Sequence, residues 1–170
     1  MEWTGQVYAD SPVVAAEILI DAPPERVWDL VSEIALMAEL SSELQEVAWL
    51  DGVTGPAVGN RFIGRNAHPA MGEWETVSTV TECDPPHRFA WAVGDPAHPS
   101  ATWRFTLKPE GEGTLLEQWY QMGPARSGLN IAIDAMPDKE AKIVFVRMRE
   151  HETAMLHNLA EIKDRAERAG

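Results

Sequence analysis

The sequence predicts an α+β fold in which a curved antiparallel sheet of about seven strands wraps around a long C-terminal helix. Three observations support this prediction. Six segments with a hydrophobic period of two follow one another between residues 46 and 122, separated by turn signals. Residues 138–168 contain neither Gly nor Pro and are rich in good helix formers, as one long helix would be. Two short helical segments follow an initial strand.

The first elements are predicted from a strand pattern that changes to helical spacing. Residues 13–20 (V-V-A-A-E-I-L-I) are mostly apolar and favour a strand. Asp21 is suited to cap a helix, and the prolines that follow it suit a first turn, so we expect a helix over residues 25–32. The spacing of apolar residues predicts a second short helix over residues 36–40.

Six further strands are predicted, and their short connections favour antiparallel pairing of neighbours. Gly64 is the position where we expect a bulge. Residues 123–137 contain several apolar side chains and are predicted to form a short helix or a flap packed on the sheet. The six strands are expected at residues 46–50, 60–67, 73–82, 88–93, 101–107 and 114–122.

Length and charge limit the classes of function. A chain of 170 residues predicts a single domain, 1–170, with residues 1–10 as an N-terminal extension. The 27 Asp and Glu residues against 14 Lys and Arg give a net charge of −13, which disfavours nucleic acid as a partner. Cys83 is the only cysteine, and we recognise no targeting segment and no apolar run long enough for a membrane span. We therefore expect a cytoplasmic protein; whether it forms a homodimer stays open.

The concave face of the sheet is the predicted ligand site. The final helix is the element large enough to cover that face, and a strongly curved sheet leaves space beneath a helix. Because side chains alternate across a strand, the apolar register identifies the inward residues, and several polar groups fall among them. The predicted ligand-binding residues are Phe62, Asn66, Trp74, Thr76, Ser78, Trp91, Trp103, Phe105, Gln118 and Tyr120, with Met148 and Met155 from the helix.

The stretch R-E-H-E-T-A-M-L-H within the final helix contains the candidate catalytic residues. Helical spacing predicts Glu152 near the middle of the apolar stripe, His151 at its edge and His157 in water. A zinc-binding H-E-x-x-H helix needs histidine where Met155 stands, so no metal site is predicted. A buried carboxylate or a neutral histidine facing a cavity is a usable general acid or base. The alternative is that Glu152 is structural and pairs with an arginine such as Arg65 or Arg149.

Several motifs resemble the START-like superfamily, also called SRPBCC or helix-grip proteins, in its polyketide cyclase/dehydrase-like branch. They are I-D-A-P-P-E-R-V-W-D-L-V-S (20–32), V-T-E-C-D-P-P-H-R-F-A-W (80–91), W-R-F-T-L (103–107) and G-T-L-L-E (113–117), with the long terminal helix. The resemblance implies a helix-grip fold with an elongated apolar cavity, used by different members to carry lipids, bind hormones, or cyclise or dehydrate polyketides. Metal-dependent oxygenase relatives use two histidines and a carboxylate, a set that we do not find here; no cofactor is expected.

Three functions are compatible with these observations. The first is binding of a small hydrophobic or aromatic ligand, polyketide-like or lipid-like, in the cavity. The alternative is a cyclase or dehydratase in which His151 and Glu152 transfer protons while Asn66, Ser78, Gln118 or Tyr120 positions a carbonyl. The third is a regulatory or stress-response module that binds another protein, which an exposed apolar segment at residues 123–137 would favour.

Overall fold

A seven-stranded antiparallel sheet forms the frame of the protein, and the predicted fold class is confirmed. The computed structural model describes residues 1–168. The strands are β1 (Val13–Ile20), β2 (Leu44–Trp49), β3 (Arg61–His68), β4 (Gly72–Asp84), β5 (Arg88–Asp95), β6 (His98–Glu110) and β7 (Gly113–Met122). The helices are α1 (Pro24–Val31), α2 (Ile34–Leu40), α3 (Leu129–Ala135) and α4 (Glu140–Arg168).

The strands follow one another across the sheet except for the first, which lies beside the last. The order is β1-β7-β6-β5-β4-β3-β2, with every neighbouring pair antiparallel. The register pairs Trp91 with Trp103 and Phe105 with Gln118, so residues predicted to point inward are cross-strand neighbours. The sheet curls, and α1, α2 and α4 lie against its concave side.

The residue that caps α1 is not the expected Asp21. Pro23 occupies the N-cap position, without a side-chain hydrogen bond, and Pro24 begins the helix. Asp21 does not cap the helix, because it lies two positions before the N-cap residue. Its backbone N–H instead donates to Oε1 of Glu167 at 2.9 Å, which ties the end of β1 to the last turn of α4.

Gly64 is not at a bulge, contrary to the expectation. It pairs in regular register with Thr76 on β4. A Cβ atom at this position would lie 2.9 Å from Cδ1 of Leu44 and 3.4 Å from Oγ1 of Thr76, so the glycine makes room for the Leu44 side chain. The irregular steps of the sheet lie elsewhere, between Leu44 and Glu46, Val80 and Glu82, and Val93 and Gly94.

The core consists of two clusters of buried side chains. The first, with Phe89, Leu107 and Leu159 among its members, lies between the middle of the sheet, α1 and the C-terminal half of α4. The second joins the N-terminal half of α4 to β1, β7 and α3, and its members are Tyr8, Val14, Tyr120, Met122, Ile133, Val144, Met148 and Met155. Full burial of one such side chain contributes about 1.5–3 kcal/mol.

The buried stripe of α4 is centred one residue away from its predicted position. His151 lies within the stripe and Glu152 lies beside it, because two apolar residues used to centre the stripe do not face the sheet. Leu156 is 55% exposed, and the Phe145 ring packs against Trp3 at 5.1 Å. The buried residues are Val144, Met148, His151, Met155, Leu159, Ile162 and Ala166. None of the helices within residues 1–168 has the length and apolar character needed to cross a membrane.

The segment at residues 123–137 contains the short helix α3. Its Ile133 side chain is buried in the second cluster, whereas Ile131 is 76% exposed. Asn130 is buried, and its side-chain oxygen accepts a hydrogen bond from the backbone N–H of Ser127 at 2.8 Å. The segment therefore belongs to the folded body, where α3 packs against α4 and the second cluster.

Candidate functional site

A cavity of about 1030 Å³ lies between the concave face of the sheet and α4. Strands β3 to β7 form its floor, while α1, α2 and the loop that follows α2 form one side. Eight of the twelve predicted ligand-binding residues line it: Phe62, Asn66, Thr76, Ser78, Trp91, Trp103, Phe105 and Gln118. The candidate catalytic residue His151 also lines it.

Aromatic side chains from β3, β5 and β6 form a continuous wall. The Trp91 and Trp103 rings are nearly parallel, with centroids 6.3 Å apart and planes inclined by 14°. Phe62 and Phe105 each lie 6.1 Å from Trp91 between ring centroids. The contact of Trp91 with Trp103 follows from the register, because cross-strand partners on one face of a sheet place their side chains side by side, whereas the Phe62 ring reaches Trp91 across β4. The wall offers flat apolar surface to any guest of the cavity.

Polar groups interrupt this apolar wall at separate points. Asn66 donates to Oγ1 of Thr76 at 3.5 Å, so these two residues partly satisfy each other. Ser78 is buried at the middle of β4. Gln118 is only 5% exposed, and its Oε1 is buried without a hydrogen-bond partner. An unpaired buried polar group costs about 1–3 kcal/mol, and this oxygen has almost no accessible surface, so it is not open to a guest of the cavity.

Four predicted ligand-binding residues do not line the cavity. Met148 and Met155 belong to the second core cluster, because they lie on the side of α4 that packs against β1 and β7. Tyr120 is buried in the same cluster and does not line the cavity, although its ring contacts Trp103 and His151, which do. Trp74 is half-buried opposite Asn66, near the end of the strand pair and beyond the cavity wall.

His151 is a neutral imidazole in an aromatic corner of the cavity. Its ring centroid lies 4.2 Å from that of Tyr120 and 5.2 Å from that of Trp103. Burial, together with the nearby positive charge of Arg147, holds the pKa of His151 well below its usual range. Burial also raises the pKa of the Tyr120 hydroxyl. Both rings are therefore uncharged at neutral pH.

Glu152 does not face the cavity, contrary to the prediction. Its carboxylate accepts a hydrogen bond from the amino group of Met1 at 3.1 Å, on the side of α4 that the N-terminal residues cover. The pairing with Arg65 or Arg149 is also absent: Arg65 pairs with Glu46 and Glu75 instead. Glu152 is therefore not among the residues that line the cavity.

A polar network, here called the clasp, joins α4 to two loops at the mouth of the cavity. It consists of Glu43, His68, Arg147 and Glu150. Arg147 donates to Glu43 at 2.5 and 2.9 Å and to Glu150 at 2.8 Å, and Glu150 contacts Nε2 of His68 at 3.2 Å. Burial disfavours the charge of Arg147, but its bonds to the two carboxylates outweigh this and raise its pKa. Both Glu43 and Glu150 line the cavity.

Sequence reasoning missed the helical side of the cavity. Leu30, Met37 and Leu40 of α1 and α2 line it, although their spacing was recognised only as that of helices packed on a core. On α4, Arg149 and His157 line the opening, and His157 is exposed as predicted. The excess of apolar residues on two very short helices was the one feature of the sequence that could have indicated this side of the cavity. No pattern in the sequence indicated the clasp, because Glu43 and Arg147 are 104 positions apart.

The part of the chain that the structure describes, residues 1–168, contains no group of three or more His, Cys, Asp or Glu side chains placed to hold a metal ion. His68 belongs to the clasp, where its ring contacts Glu150, and His151 is surrounded by aromatic rings. The cavity residues offer aromatic surface, the neutral imidazole of His151, and amide and hydroxyl groups, together with the carboxylates of Glu43 and Glu150.

Comparison with protein families assigns the chain. Residues 11–161 match the family of polyketide cyclase/dehydrase and lipid transport proteins. The chain belongs to this family. The matched region contains all seven strands and all but one of the α4 residues that line the cavity. The solution structure of the Polyketide_cyc-like protein Cgl2372 of Corynebacterium glutamicum is similar, with 31% identity over 90% of each chain and a TM-score of 0.65.

Two proteins described as di-domain ARO/CYC proteins share the fold. BexL, of the BE-7585A biosynthetic pathway, is 23% identical and has a TM-score of 0.68. StfQ, of the steffimycin pathway, is 16% identical and has a TM-score of 0.70. Each comparison covers 92% of this chain but only 50% of BexL and 51% of StfQ, so this chain corresponds to about half of either protein. No curated protein matches the chain.

Proposed function

We propose that the protein binds a small hydrophobic or aromatic molecule, polyketide-like or lipid-like, in the cavity between the sheet and α4. The observation that carries this proposal is the cavity itself, with its wall of Phe62, Trp91, Trp103 and Phe105. Its volume of about 1030 Å³ is at the upper end of the range of small-molecule sites, which is about 300–1,000 Å³. Membership of a family that includes lipid transport supports the same function.

The proposal is tested by titrating the protein with neutral two-ring and three-ring aromatics and with palmitic acid. Tryptophan fluorescence reports occupancy because Trp91 and Trp103 line the cavity. A ligand present at 100 times its Kd stabilises the protein by about 2.7 kcal/mol, which a thermal shift detects. If none of these compounds changes the fluorescence or the melting temperature, the cavity is not a site for such molecules.

A matched pair of variants locates the binding. Ser78 lines the cavity, whereas the next residue, Thr79, points to the opposite face of the same strand. We expect Ser78→Phe to weaken binding at least about tenfold by filling the cavity, and Thr79→Phe to leave it unchanged. Equal effects of the two substitutions would place the ligand outside the cavity.

The second candidate function is acid-base catalysis, and His151 is the observation that favours it. A neutral imidazole that borders a cavity has an unprotonated nitrogen at neutral pH, so it can take a proton from a substrate, and return of that proton completes a tautomerisation or an aldol-type ring closure. His151 would take a proton from the carbon between two carbonyl groups to leave an enolate, while Asn66, Ser78 or Gln118 binds a carbonyl oxygen. Glu152 has no part in this scheme because it lies outside the cavity.

Hydrogen–deuterium exchange at the central carbon of 1-phenyl-1,3-butanedione, followed by NMR, tests this chemistry. We expect the wild-type protein to accelerate exchange over buffer and His151→Gln to lose at least about tenfold of that acceleration. His157→Gln is the control, since His157 is exposed at the cavity opening. Acceleration that persists in His151→Gln would mean that the histidine takes no part in the proton transfer.

The cytoplasmic location of the protein stays a prediction, and whether it forms a homodimer stays open.

A further inference from the structure

We infer that a second copy of this chain packs against the outer face of the sheet, in a symmetric dimer in which Arg104 of each copy pairs with Glu117 of the other. The surface that makes this contact, here called the outer patch, lies on the face of the sheet opposite the cavity. The inference therefore goes beyond the proposed binding function. The outer patch consists of Val13, Glu17 and Leu19 of β1, Arg104 of β6, and Glu117 and Trp119 of β7.

The alternation of side chains along three neighbouring strands places these residues on one face. Gln118 lines the cavity, so its neighbours Glu117 and Trp119 point to the other face of the sheet. The register pairs Trp119 with Arg104 on β6 and Glu117 with Glu17 on β1. Two carboxylates, one guanidinium and one indole are therefore neighbours on the outer face.

Arg104 is a cation without a carboxylate partner. Its guanidinium carbon lies 4.4 Å from the centre of the Trp119 ring, and its Nε is buried without a hydrogen-bond partner. None of the salt bridges within residues 1–168 involves Arg104. Stacking on the indole uses the flat face of the guanidinium and leaves the N–H groups at its edge available to a carboxylate.

Glu17 and Glu117 lack the opposite charge. They lie directly across from each other on β1 and β7, and like charges in this arrangement destabilise a sheet. In the part of the chain that the structure describes, neither forms a salt bridge. The outer patch thus holds carboxylates without a cation beside a cation without a carboxylate, so it is complementary to itself.

Apolar surface accompanies these charges. Val13 and Leu19 are the large hydrophobic strand residues within the described chain that stay exposed, at 43% and 57%, and both belong to the outer face of β1. Exposed apolar surface rimmed by polar groups is typical of protein contact sites. Tryptophan and arginine are the residue types enriched at the energetic centres of such sites, and Trp119 and Arg104 are stacked at the middle of the patch.

A second copy supplies both missing partners at once. In a dimer with twofold symmetry, a contact from one residue to another is repeated in the reverse direction. A twofold axis that passes between Arg104 and Glu117 therefore forms two equal ion pairs. The net charge of −13 makes two copies repel each other, but at about 0.15 M NaCl this repulsion is screened beyond about 8 Å, whereas the ion pairs act at contact.

Charge reversal, followed by analytical ultracentrifugation at about 0.15 M NaCl, tests the inference. We expect wild-type protein to form a dimer. Arg104→Glu and Glu117→Arg should each weaken dimerisation at least about tenfold, because each places like charges at the contact. When the two variants are mixed, we expect a heterodimer about as tight as the wild-type dimer, since each variant offers the charge that the other needs.

Arg65→Glu and Glu75→Arg are the matched controls. Arg65 and Glu75 lie on the outer face at β3 and β4 and pair with each other at 3.1 Å, away from the patch. Their reversal changes the net charge by the same amounts, and we expect it to leave dimerisation unchanged. Glu117→Arg decides alone if Arg104→Glu does not fold. It removes a like-charge pair, so the monomer of this variant should keep or raise its melting temperature.

Three results would overturn the inference. One is wild-type protein that stays monomeric at about 1 mM. Another is a dimer that neither Arg104→Glu nor Glu117→Arg weakens, because its interface would then lie outside the patch. The third is a mixture of the two variants that does not associate, since the two ion pairs would then not be the contact. Binding of aromatic probes to the cavity is independent of all three.

Discussion

Individual side chains around the cavity are kept uncharged by their surroundings. His151 has no carboxylate against its ring and is enclosed by Tyr120 and Trp103, so burial acts on its pKa without compensation. Arg147, at the clasp, is the opposite case, since two carboxylates offset its burial. Arg147 therefore keeps its charge because carboxylates lie beside it, and His151 stays neutral because its neighbours are uncharged rings.

The neutrality of His151 predicts a dependence of stability on pH. The unfolded chain takes up a proton on this histidine near pH 6.5, whereas the folded chain does so only at lower pH. The stability that the neutral His151 contributes is therefore fully present above pH 6.5 and is lost as the pH falls below it. The free energy of unfolding should change by up to about 1.4 kcal/mol per pH unit in this range. Urea unfolding between pH 5.5 and 7.5 should show a shallower slope for His151→Phe than for wild type.

The control for this prediction is His157→Gln, which replaces an exposed histidine on the same helix. We expect this variant to keep the wild-type slope. An unchanged slope in His151→Phe would mean that the imidazole takes up its proton equally well in both states, in conflict with its enclosed position.

Met155 has a different role from the one that its position on an apolar stripe first indicated. Its side chain is fully buried in the second core cluster, so Met155→Ala should lower the free energy of unfolding by about 2–5 kcal/mol. Leu156→Ala, at the exposed neighbour, should change it by less than about 0.5 kcal/mol. Chemical denaturation measures both. Similar losses for the two variants would contradict the orientation of α4.

At the scale of elements, the clasp is what attaches α4 to the two loops at the cavity mouth. Replacing Arg147 by Met leaves Glu43 and Glu150 without their shared cation, and we expect a loss of about 1–3 kcal/mol in unfolding free energy. Hydrogen exchange should rise at residues 41–45 and 68–72. Arg165→Met removes a more exposed pair with Glu39 and should cost less stability than Arg147→Met.

If hydrogen exchange in Arg147→Met rises uniformly along the chain instead of at the two loops, the clasp stabilises the whole fold and does not hold the mouth in particular. The comparison with Arg165→Met separates the two cases, since both arginines belong to α4 and pair with a glutamate more than 100 positions away.

The elements were predictable where the pattern of one segment was sufficient. Alternation in β5 and β6 correctly placed Trp91, Trp103 and Phe105 on one face, because a strand has only two faces. A helix presents many faces, and an error of one residue turns it by about 100°, which is why Glu152 was predicted inside and His151 at the edge. Contacts with Trp3 were needed to correct this, and a sequence pattern does not contain them.

At the scale of the whole molecule, the dominant property is the charge of −13. Like charges on one surface repel one another and disfavour the compact state. Raising NaCl from about 0.01 to 0.1 M shortens the Debye length from about 30 to 10 Å, so we expect the melting temperature to rise. Sucrose of equal osmolality should not reproduce the salt dependence. A fall of the melting temperature with NaCl would mean that ion pairs outweigh the repulsion.

None of the eight members of the second core cluster lines the cavity. The N-terminal half of α4 is consequently anchored on β1 and β7 whether or not a guest is present. Substitutions in α2, β3 and β4 can then change which molecules are accepted while the anchor is left untouched. A chain built in this way is able to acquire new ligands by small steps, because the part that selects them is separate from the part on which α4 depends for its attachment.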